Sequence, residues 1–273
     1  MIGQKHLLDK LIQITEAGDM PRFSIIVGDR GSESKEIAPF IAEQLGANLI
    51  ELSDVKVDTI REMSMNAYEQ IEETVYSIVD ADGMSLQAKN ALLKMTEEPP
   101  NKAYFVMTLE STDNTLHTIL SRAVVFNMDR YMPDEIAEYA GDMDDKSLKI
   151  IKGVCSTPGH VDMLASYDIP KLYSDVEKFI DDVSKVDGAK ALTLSKDLSV
   201  KDGDGKIDMR LFLQMFQYIC LHRAYAEEKT ELGVLWCRGV IIAGMKLKDL
   251  RIKGKNRQML IDSFILELRK IWK

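Results

Sequence analysis

The residues from 28 to 35 have the layout of a phosphate-binding loop, G-x-x-x-x-G-K-[ST], but lack its chemistry. They read Gly28-Asp29-Arg30-Gly31-Ser32-Glu33-Ser34-Lys35. In a working loop the glycines let backbone N–H groups close on phosphate, the lysine contacts the β and γ phosphates, and the hydroxyl holds magnesium. Gly28 is in register, but Glu33 stands at the second required glycine. Ser34 replaces the lysine and Lys35 replaces the hydroxyl residue. We therefore expect no ATP hydrolysis and no bound nucleotide or metal at this loop.

A second position that could hold a metal is Asp80, at the end of a predicted strand that reads Val79-Asp80-Ala81-Asp82. Nucleotide hydrolysis uses acids at such a strand end, one to order magnesium and its water and one to polarise the attacking water. Asp80 stands at the metal-ordering position, but Ala81, at the position of the base, cannot accept a proton. Asp82 lies one residue further on and is expected to point elsewhere. The sequence thus predicts a site that lacks its catalytic base.

Apolar runs separated by helical patterns predict the elements that position these residues. Strands are predicted at 23–27, 48–52, 74–79, 104–109 and 124–126. Helices are predicted at 7–17, from the loop to 45, within 57–73, from 85 to 97 with Ser85 as the N-cap, and as a short segment ending near 120. Because strands alternate with helices, we expect an α/β fold with a parallel sheet. Beyond residue 130 the patterns are helical only, with breaks near 157–159, 170 and 201–205.

Two downstream motifs are more specific than the loop. Residues 90–100 read N-A-L-L-K-M-T-E-E-P-P, and residues 118–123 read T-I-L-S-R-A. They resemble the N-A-L-L-K-x-x-E-E-P-P and T-I-x-S-R-C motifs of the AAA+ clamp-loader subunits of bacterial DNA polymerase III. Ile2-Gly3-Gln4 resembles the opening of the same family. The resemblance covers residues 1 to about 128 well and the helical remainder more loosely.

Within that family the chain most resembles the delta-prime type, a subunit that does not hydrolyse ATP, because the loop and the acid pair are both degenerate. The resemblance implies an AAA+ parallel-sheet core at 1–128, a small helical lid at 129–172 and an all-helical collar at 173–273. The implied partners are ATPase subunits of the gamma or tau type and a delta-type subunit in a hetero-oligomeric ring, with the sliding clamp and primer-template DNA as indirect partners. The four-cysteine zinc insert of many relatives is missing.

The resemblance also implies roles for individual residues. In the family, the arginine of the S-R-C motif enters the ATP site of the neighbouring subunit as an arginine finger, so Ser121 and Arg122 are the residues implied to act in trans. The alternative for Arg122 is a surface helix-end arginine in an ion pair worth under about 1 kcal/mol. Thr108 stands at a polar sensor position, although little remains for it to sense. His160, near the start of a lid helix, is expected to be exposed.

Composition and charge narrow the class of partner. The 273-residue chain has a net charge of −9, whereas proteins that hold DNA by their own surface are more often basic. Contact with proteins is therefore the first expectation. No apolar run approaches the roughly 20 residues that span a bilayer, and the N-terminus does not resemble a signal peptide, so we expect no membrane contact and a cytoplasmic location. Three widely spaced cysteines predict neither a disulfide framework nor a zinc site.

Two further patterns have simpler interpretations. Residues 202–208 resemble part of a calcium-binding loop, but Val200 and Leu211 occupy the positions of two required acidic ligands, so a solvated turn is expected. A basic cluster near the C-terminus is expected to lie in a solvated loop between helices; it consists of Lys246, Lys248, Arg251, Lys253, Lys255 and Arg257.

Two other functions stay open at this point. A divergent nucleotide-binding AAA+ ATPase could use Lys35 together with Asp80, and micromolar binding of magnesium nucleotide would favour it. A stand-alone scaffold derived from the AAA+ fold would instead fail to associate with other loader subunits.

Overall fold

The computed structural model describes residues 1–183, 185, 208–250 and 256–272, with only the backbone at Arg257. Internal contacts divide the chain into two compact units. The first comprises Met1–Tyr139 and Thr157–Gly159, and the second comprises Ala140–Ser156 and His160–Lys273. The three-part division with boundaries after residues 128 and 172 stays a prediction. The calcium-like turn up to residue 207 and the basic residues at 251, 253 and 255 lie outside the described residues.

A five-stranded parallel sheet forms the centre of the first unit. Its strands are β1 (Phe23–Val27), β2 (Asn48–Glu51), β3 (Thr74–Ile78), β4 (Ala103–Leu109) and β5 (Val124–Asn127). They are arranged in the order β2-β3-β4-β1-β5, and every neighbouring pair is parallel. The predicted strands and their parallel pairing are confirmed, each within a residue or two at its ends.

Helices cover both faces of this sheet. They are α1 (Lys5–Glu16), α2 (Ile37–Leu45), α3 (Val57–Tyr68), α4 (Leu86–Glu97), α5 (His117–Leu120) and α6 (Pro133–Ala140). Successive strand residues point to opposite faces, which is why Ile25 and Ile26 belong to different hydrophobic clusters. One cluster joins the sheet to α3, α4 and α5, and the other joins it to α1 and α2. Because both faces are covered, β1, β3 and β4 are buried along nearly their whole length rather than at alternate residues.

The register of the strands brings the predicted site residues to one edge of the sheet. Ile26 pairs with Thr108 and Val27 with Leu109, so the loop after β1 begins beside the end of β4. On the other side of β4, Ile78 pairs with Met107, so Asp80 follows at the same edge. The carboxyl ends of parallel strands are where open α/β sheets place their ligand sites.

The described part of the second unit is helical. It contains α7 (Asp145–Val154), most of α8 (Pro158–Ala165), α9 (Ile169–Val183), α10 (Met209–Ala226), α11 (Glu231–Asp249) and α12 (Arg257–Trp272). Phe179, Phe216 and Phe264 form an aromatic cluster with ring centroids between 5.1 and 6.4 Å apart. The apolar residues of α10 form part of the core, since Leu211, Phe216 and their apolar neighbours are buried.

Two expectations about single side chains are wrong. His160 is buried rather than exposed: its Nδ1 lies 3.1 Å from the Ser156 hydroxyl oxygen and 3.4 Å from Gln214 Nε2, so the ring is held among polar groups of the second unit. Lys246 and Lys248 lie in helix α11, not in a solvated loop. Lys246 is buried, and a carboxylate on α12 accepts a hydrogen bond from its ammonium group.

Within the described ranges, no helix is both long enough and apolar enough to cross a membrane.

Candidate functional site

The loop after β1 begins as a strand extension and ends in a tight turn. Gly28 N–H donates to the Leu109 carbonyl oxygen at 3.0 Å, continuing the pairing of β1 with β4. Ser32 N–H then donates to Asp29 O at 2.8 Å, and a 3-10 turn (Glu33–Glu36) leads into α2. Gly31 has a φ of +78°, a backbone conformation that favours glycine. The sequence missed the 3-10 turn, which places Ser34 and the exposed Lys35 together ahead of the helix.

Glu33 is used within the first unit. Its carboxylate accepts from Ile2 N–H at 3.0 Å, and its own N–H donates to the hydroxyl oxygen of Tyr131 at 3.2 Å. Burial raises the pKa of Tyr131 above its ordinary value, so the hydroxyl is neutral at physiological pH. A working loop keeps a glycine at this position and offers its N–H groups to phosphate. Here the side chain and the N–H of Glu33 both bind other parts of the chain.

The preceding part of the loop packs against the segment Thr157–Gly159. Thr157 Oγ1 donates to the Arg30 carbonyl oxygen at 3.0 Å, and Gly159 N–H donates to Gly31 O at 2.8 Å. A Cβ on Gly31 would lie 2.9 Å from Thr157 Oγ1 and 3.0 Å from Gly159 Cα. Two backbones therefore meet directly at this point, and only glycine fits.

The strand-end acids differ: Asp80 makes its contact through the backbone, and Asp82 makes its contacts through the carboxylate. Asp80 is in the left-handed conformation, with a φ of +54°, and its N–H donates to the Thr108 hydroxyl at 3.0 Å. Thr108 is buried, so the structure joins the predicted sensor position to the predicted metal position. Asp82 points elsewhere, as expected: its carboxylate accepts from the N–H groups of Glu110 and Ser111 at 2.7 and 3.4 Å.

Arg122 lies on the surface just after α5. Its Nη1 donates to the Thr118 carbonyl oxygen at 2.8 Å, and its Nη2 lies 3.1 Å from Glu97 Oε1. Ser121 Oγ donates to the same carbonyl at 3.2 Å. The side chain of Arg122 keeps 38% of its surface exposed.

Glu97 was not among the residues singled out from the sequence. It belongs to the N-A-L-L-K-M-T-E-E-P-P motif, but the contact that joins this motif to Arg122 spans 25 residues of sequence. Only the folded structure reveals it, in which Ile119 of α5 and Leu92 of α4 belong to one hydrophobic cluster. Among the residues described, no cluster of three or more His, Cys, Asp or Glu side chains could hold a metal ion.

Comparison with known proteins identifies relatives of the first unit. Residues 47–131 match the family model described as DNA polymerase III, delta subunit. The chain is 25% identical over 189 residues to DNA polymerase III subunit gamma of Buchnera aphidicola subsp. Schizaphis graminum, covering 55% of this chain and 52% of that protein. It is 34% identical over 79 residues to subunit delta' of Haemophilus influenzae, covering 28% of this chain and 24% of that protein. The chain thus spans about half the length of its gamma relative.

A solved structure supports the fold over the whole length. The DNA polymerase III gamma subunit-related protein of Thermotoga maritima superposes with a TM-score of 0.50 at 21% identity, covering 97% of this chain and 99% of that one. The predicted α/β fold, a parallel-sheet core followed by helices, is confirmed. The matched core residues 47–131 and the gamma and delta' relatives therefore make this chain similar to subunits of DNA polymerase III.

Proposed function

We propose that this chain is a delta-prime-like subunit of the clamp loader that does not hydrolyse ATP. In this role it supports the loading of the sliding clamp in DNA replication and donates Arg122 to the ATP site of a neighbouring subunit. The observation that carries the proposal is a contrast between the altered loop at the sheet edge and Arg122. At the altered loop, the side chain and the N–H of Glu33 bind within the first unit, whereas the Arg122 guanidinium keeps 38% of its side-chain surface exposed beside its contacts with Thr118 and Glu97.

Three differences from a working ATP site support the proposed absence of ATPase activity. The loop lacks its lysine and second glycine. The Glu33 carboxylate and its N–H both bind within the first unit. Ala81, at the position of the base, is buried and cannot take a proton. We therefore propose that no nucleotide cofactor is bound, and that neither Lys35 nor Asp80 serves one.

The role of Arg122 is supported by its charge and exposure. A guanidinium presents five N–H donors in a planar fork and remains cationic at all physiological pH values, which suits it to the γ-phosphate of ATP. In this chain two of its nitrogens already have partners, but the group still faces solvent. The proposed neighbours are ATPase subunits of the gamma or tau type, with a delta-type subunit completing the ring, and the clamp and primer-template DNA as indirect partners.

Reconstitution with the gamma-type and delta-type subunits of the same organism tests the proposal. The complex is expected to form, and turnover at the one ATP site served by Arg122 is expected to fall by ~10³-fold or more in Arg122→Ala. Clamp- and DNA-dependent ATP hydrolysis is the measurement. Arg61→Ala is the matched control, because Arg61 is also an exposed arginine in a surface ion pair, 3.6 Å from Asp58.

Two results would contradict the proposal. An unchanged ATPase rate in Arg122→Ala would remove the finger assignment. Micromolar binding of ATP with magnesium to the isolated chain, measured by calorimetry, would restore the divergent ATPase that uses Lys35 with Asp80.

A further inference from the structure

The ion pair between Arg122 and Glu97 joins two motifs that the sequence shows only separately. Glu97 is the last residue of α4, and Arg122 stands two residues beyond the end of α5. The two helices share one hydrophobic cluster, in which Leu92 of α4 and Ile119 of α5 are fully buried. Packing of the core therefore fixes where the Glu97 carboxylate meets the guanidinium.

The contacts of Arg122 define one orientation of a long side chain. Thr118 O accepts from Nη1 at 2.8 Å, and Glu97 Oε1 lies 3.1 Å from Nη2. The side chain of a free arginine loses substantial rotamer freedom when it is ordered in a binding site, and ordering it beforehand reduces that cost. Removing the Glu97 contact would leave the guanidinium with the Thr118 carbonyl and the Ser121 hydroxyl, 3.4 Å from Nη1, both within four residues of Arg122 in sequence.

The ion pair is also weak enough for a phosphate group to replace Glu97 as the partner of Arg122. Both side chains are exposed, Arg122 by 38% and Glu97 by 53%, and such pairs contribute at most about 1 kcal/mol to stability. A triphosphate carries more negative charge than a single carboxylate and can replace Glu97 as the partner of Nη2. The same exposure means that loss of the pair would barely change the stability of the fold.

We propose that Glu97 is a positioning residue: it holds the Arg122 guanidinium in one orientation on the surface, from which it can enter the neighbouring ATP site. This inference rests on the proposed function of Arg122. Glu97 acts only by orienting Arg122 and does not contact the nucleotide. What Glu97 supplies is an acceptor oxygen at one place, so the conservative change to glutamine keeps most of the effect.

The experiment compares three variants in the reconstituted loader. Glu97→Ala is expected to lower kcat at the site served by Arg122 by about 3- to 10-fold, with an unchanged KM for ATP, because the ordering cost of one side chain is added back to the transition state. Glu97→Gln is expected to recover most of that loss. Glu98→Ala is the matched control, since Glu98 is the next residue, is exposed, and makes its described contacts through its backbone.

A second measurement tests the orientation directly in the isolated chain. NMR relaxation of the Arg122 side-chain N–H groups is expected to show greater mobility in Glu97→Ala than in the parent chain or in Glu98→Ala. The thermal unfolding midpoint is expected to remain unchanged in all three variants, which a role in fold stability would not allow.

The outcomes separate this inference from the proposed function. If Arg122→Ala lowers turnover but Glu97→Ala equals Glu98→Ala, the positioning role is overturned and the finger stands. If Arg122→Ala has no effect, the proposed function itself fails, and Glu97 with it. Unchanged mobility of Arg122 in Glu97→Ala would overturn the positioning role on its own.

Discussion

At the scale of the residue, the loop after β1 depends on Gly31. This residue combines a φ of +78° with a direct contact between two backbones. Gly18 has nearly the same φ, +75°, but no atom lies within 4 Å of the place where its Cβ would be. Comparing Gly31 with Gly18 therefore separates the free-energy cost of the backbone conformation from that of the close packing.

Gly31→Ala is expected to destabilise the chain more than Gly18→Ala does. The left-handed conformation costs an alanine about 1–2 kcal/mol at either position. At Gly31 a forced contact with the Gly159 backbone adds ~1–3 kcal/mol. Urea unfolding of both variants provides the measurement, and equal losses at the two positions would show that the contact with Gly159 is unimportant.

The contacts of single side chains were also the hardest features to predict from the sequence. Pattern comparison identified the altered loop, the missing base at Ala81 and the exposed arginine at 122. It did not identify the uses of Glu33 and Glu97, because their partners lie 31 and 25 residues away in sequence. His160 was misjudged for the same reason, since a partner on α10 is 54 residues distant.

At the scale of the element, one buried lysine joins α11 to α12. The Lys246 ammonium donates to Ser263 Oγ and to Glu267 Oε1, each at 2.7 Å, and the Ser263 hydroxyl donates to the same carboxylate oxygen at 2.7 Å. Burial alone would raise the pKa of Glu267, but hydrogen bonds from Lys246 and Ser263 lower it further than burial raises it, so the net direction is downward.

This arrangement predicts how stability changes with pH. Because the pKa of Glu267 is lower in the folded chain than its ordinary value of 4.5, its contribution is present above about pH 4.5 and is lost as the pH falls through the folded pKa. Glu267→Gln is expected to be less stable than the parent chain at pH 7 and to approach it toward pH 3. Urea unfolding between pH 3 and 7 measures this difference, with the exposed Glu228→Gln as control.

A constant difference in unfolding free energy across that pH range would contradict the assignment, because it would reflect packing rather than ionisation.

The helices and strands themselves were largely predictable from the sequence, because periodicity and caps are local. Ser85, for example, accepts from Ala88 N–H at 3.2 Å, as an N-cap should. The end of α3 was harder to predict. That helix stops at Tyr68, whose hydroxyl donates to the Glu98 carbonyl oxygen 30 residues away.

At the scale of the whole molecule, one exposed stripe suits the predicted role of the helical region in assembly. Val234, Ile241 and Met245 lie at i, i+7 and i+11 on α11, and each is more than half exposed. Such spacing puts them on one face of the helix. A contiguous exposed apolar face of this kind marks protein contact sites in soluble domains.

Ile241→Lys is expected to weaken association with the other loader subunits by ~10-fold or more, because a charge replaces an apolar side chain that assembly would bury. Sedimentation of the mixture is the measurement, and the unfolding midpoint of the isolated chain should not change. Ile71→Lys is the control: Ile71 is 89% exposed and belongs to the first unit. Equal association of the two variants would exclude this face.

The discontinuous composition of the first unit has a consequence for anyone who divides the chain. A fragment that stops at Tyr139 lacks the residues Thr157–Gly159, which belong to the same compact unit. The carbonyl oxygens of Arg30 and Gly31 then lose both of their donors, and the surface that faced Gly159 is left uncovered. Limited proteolysis between the two segments should therefore produce a nicked protein whose pieces stay together, and the recombinant amino-terminal half on its own should be prone to precipitate.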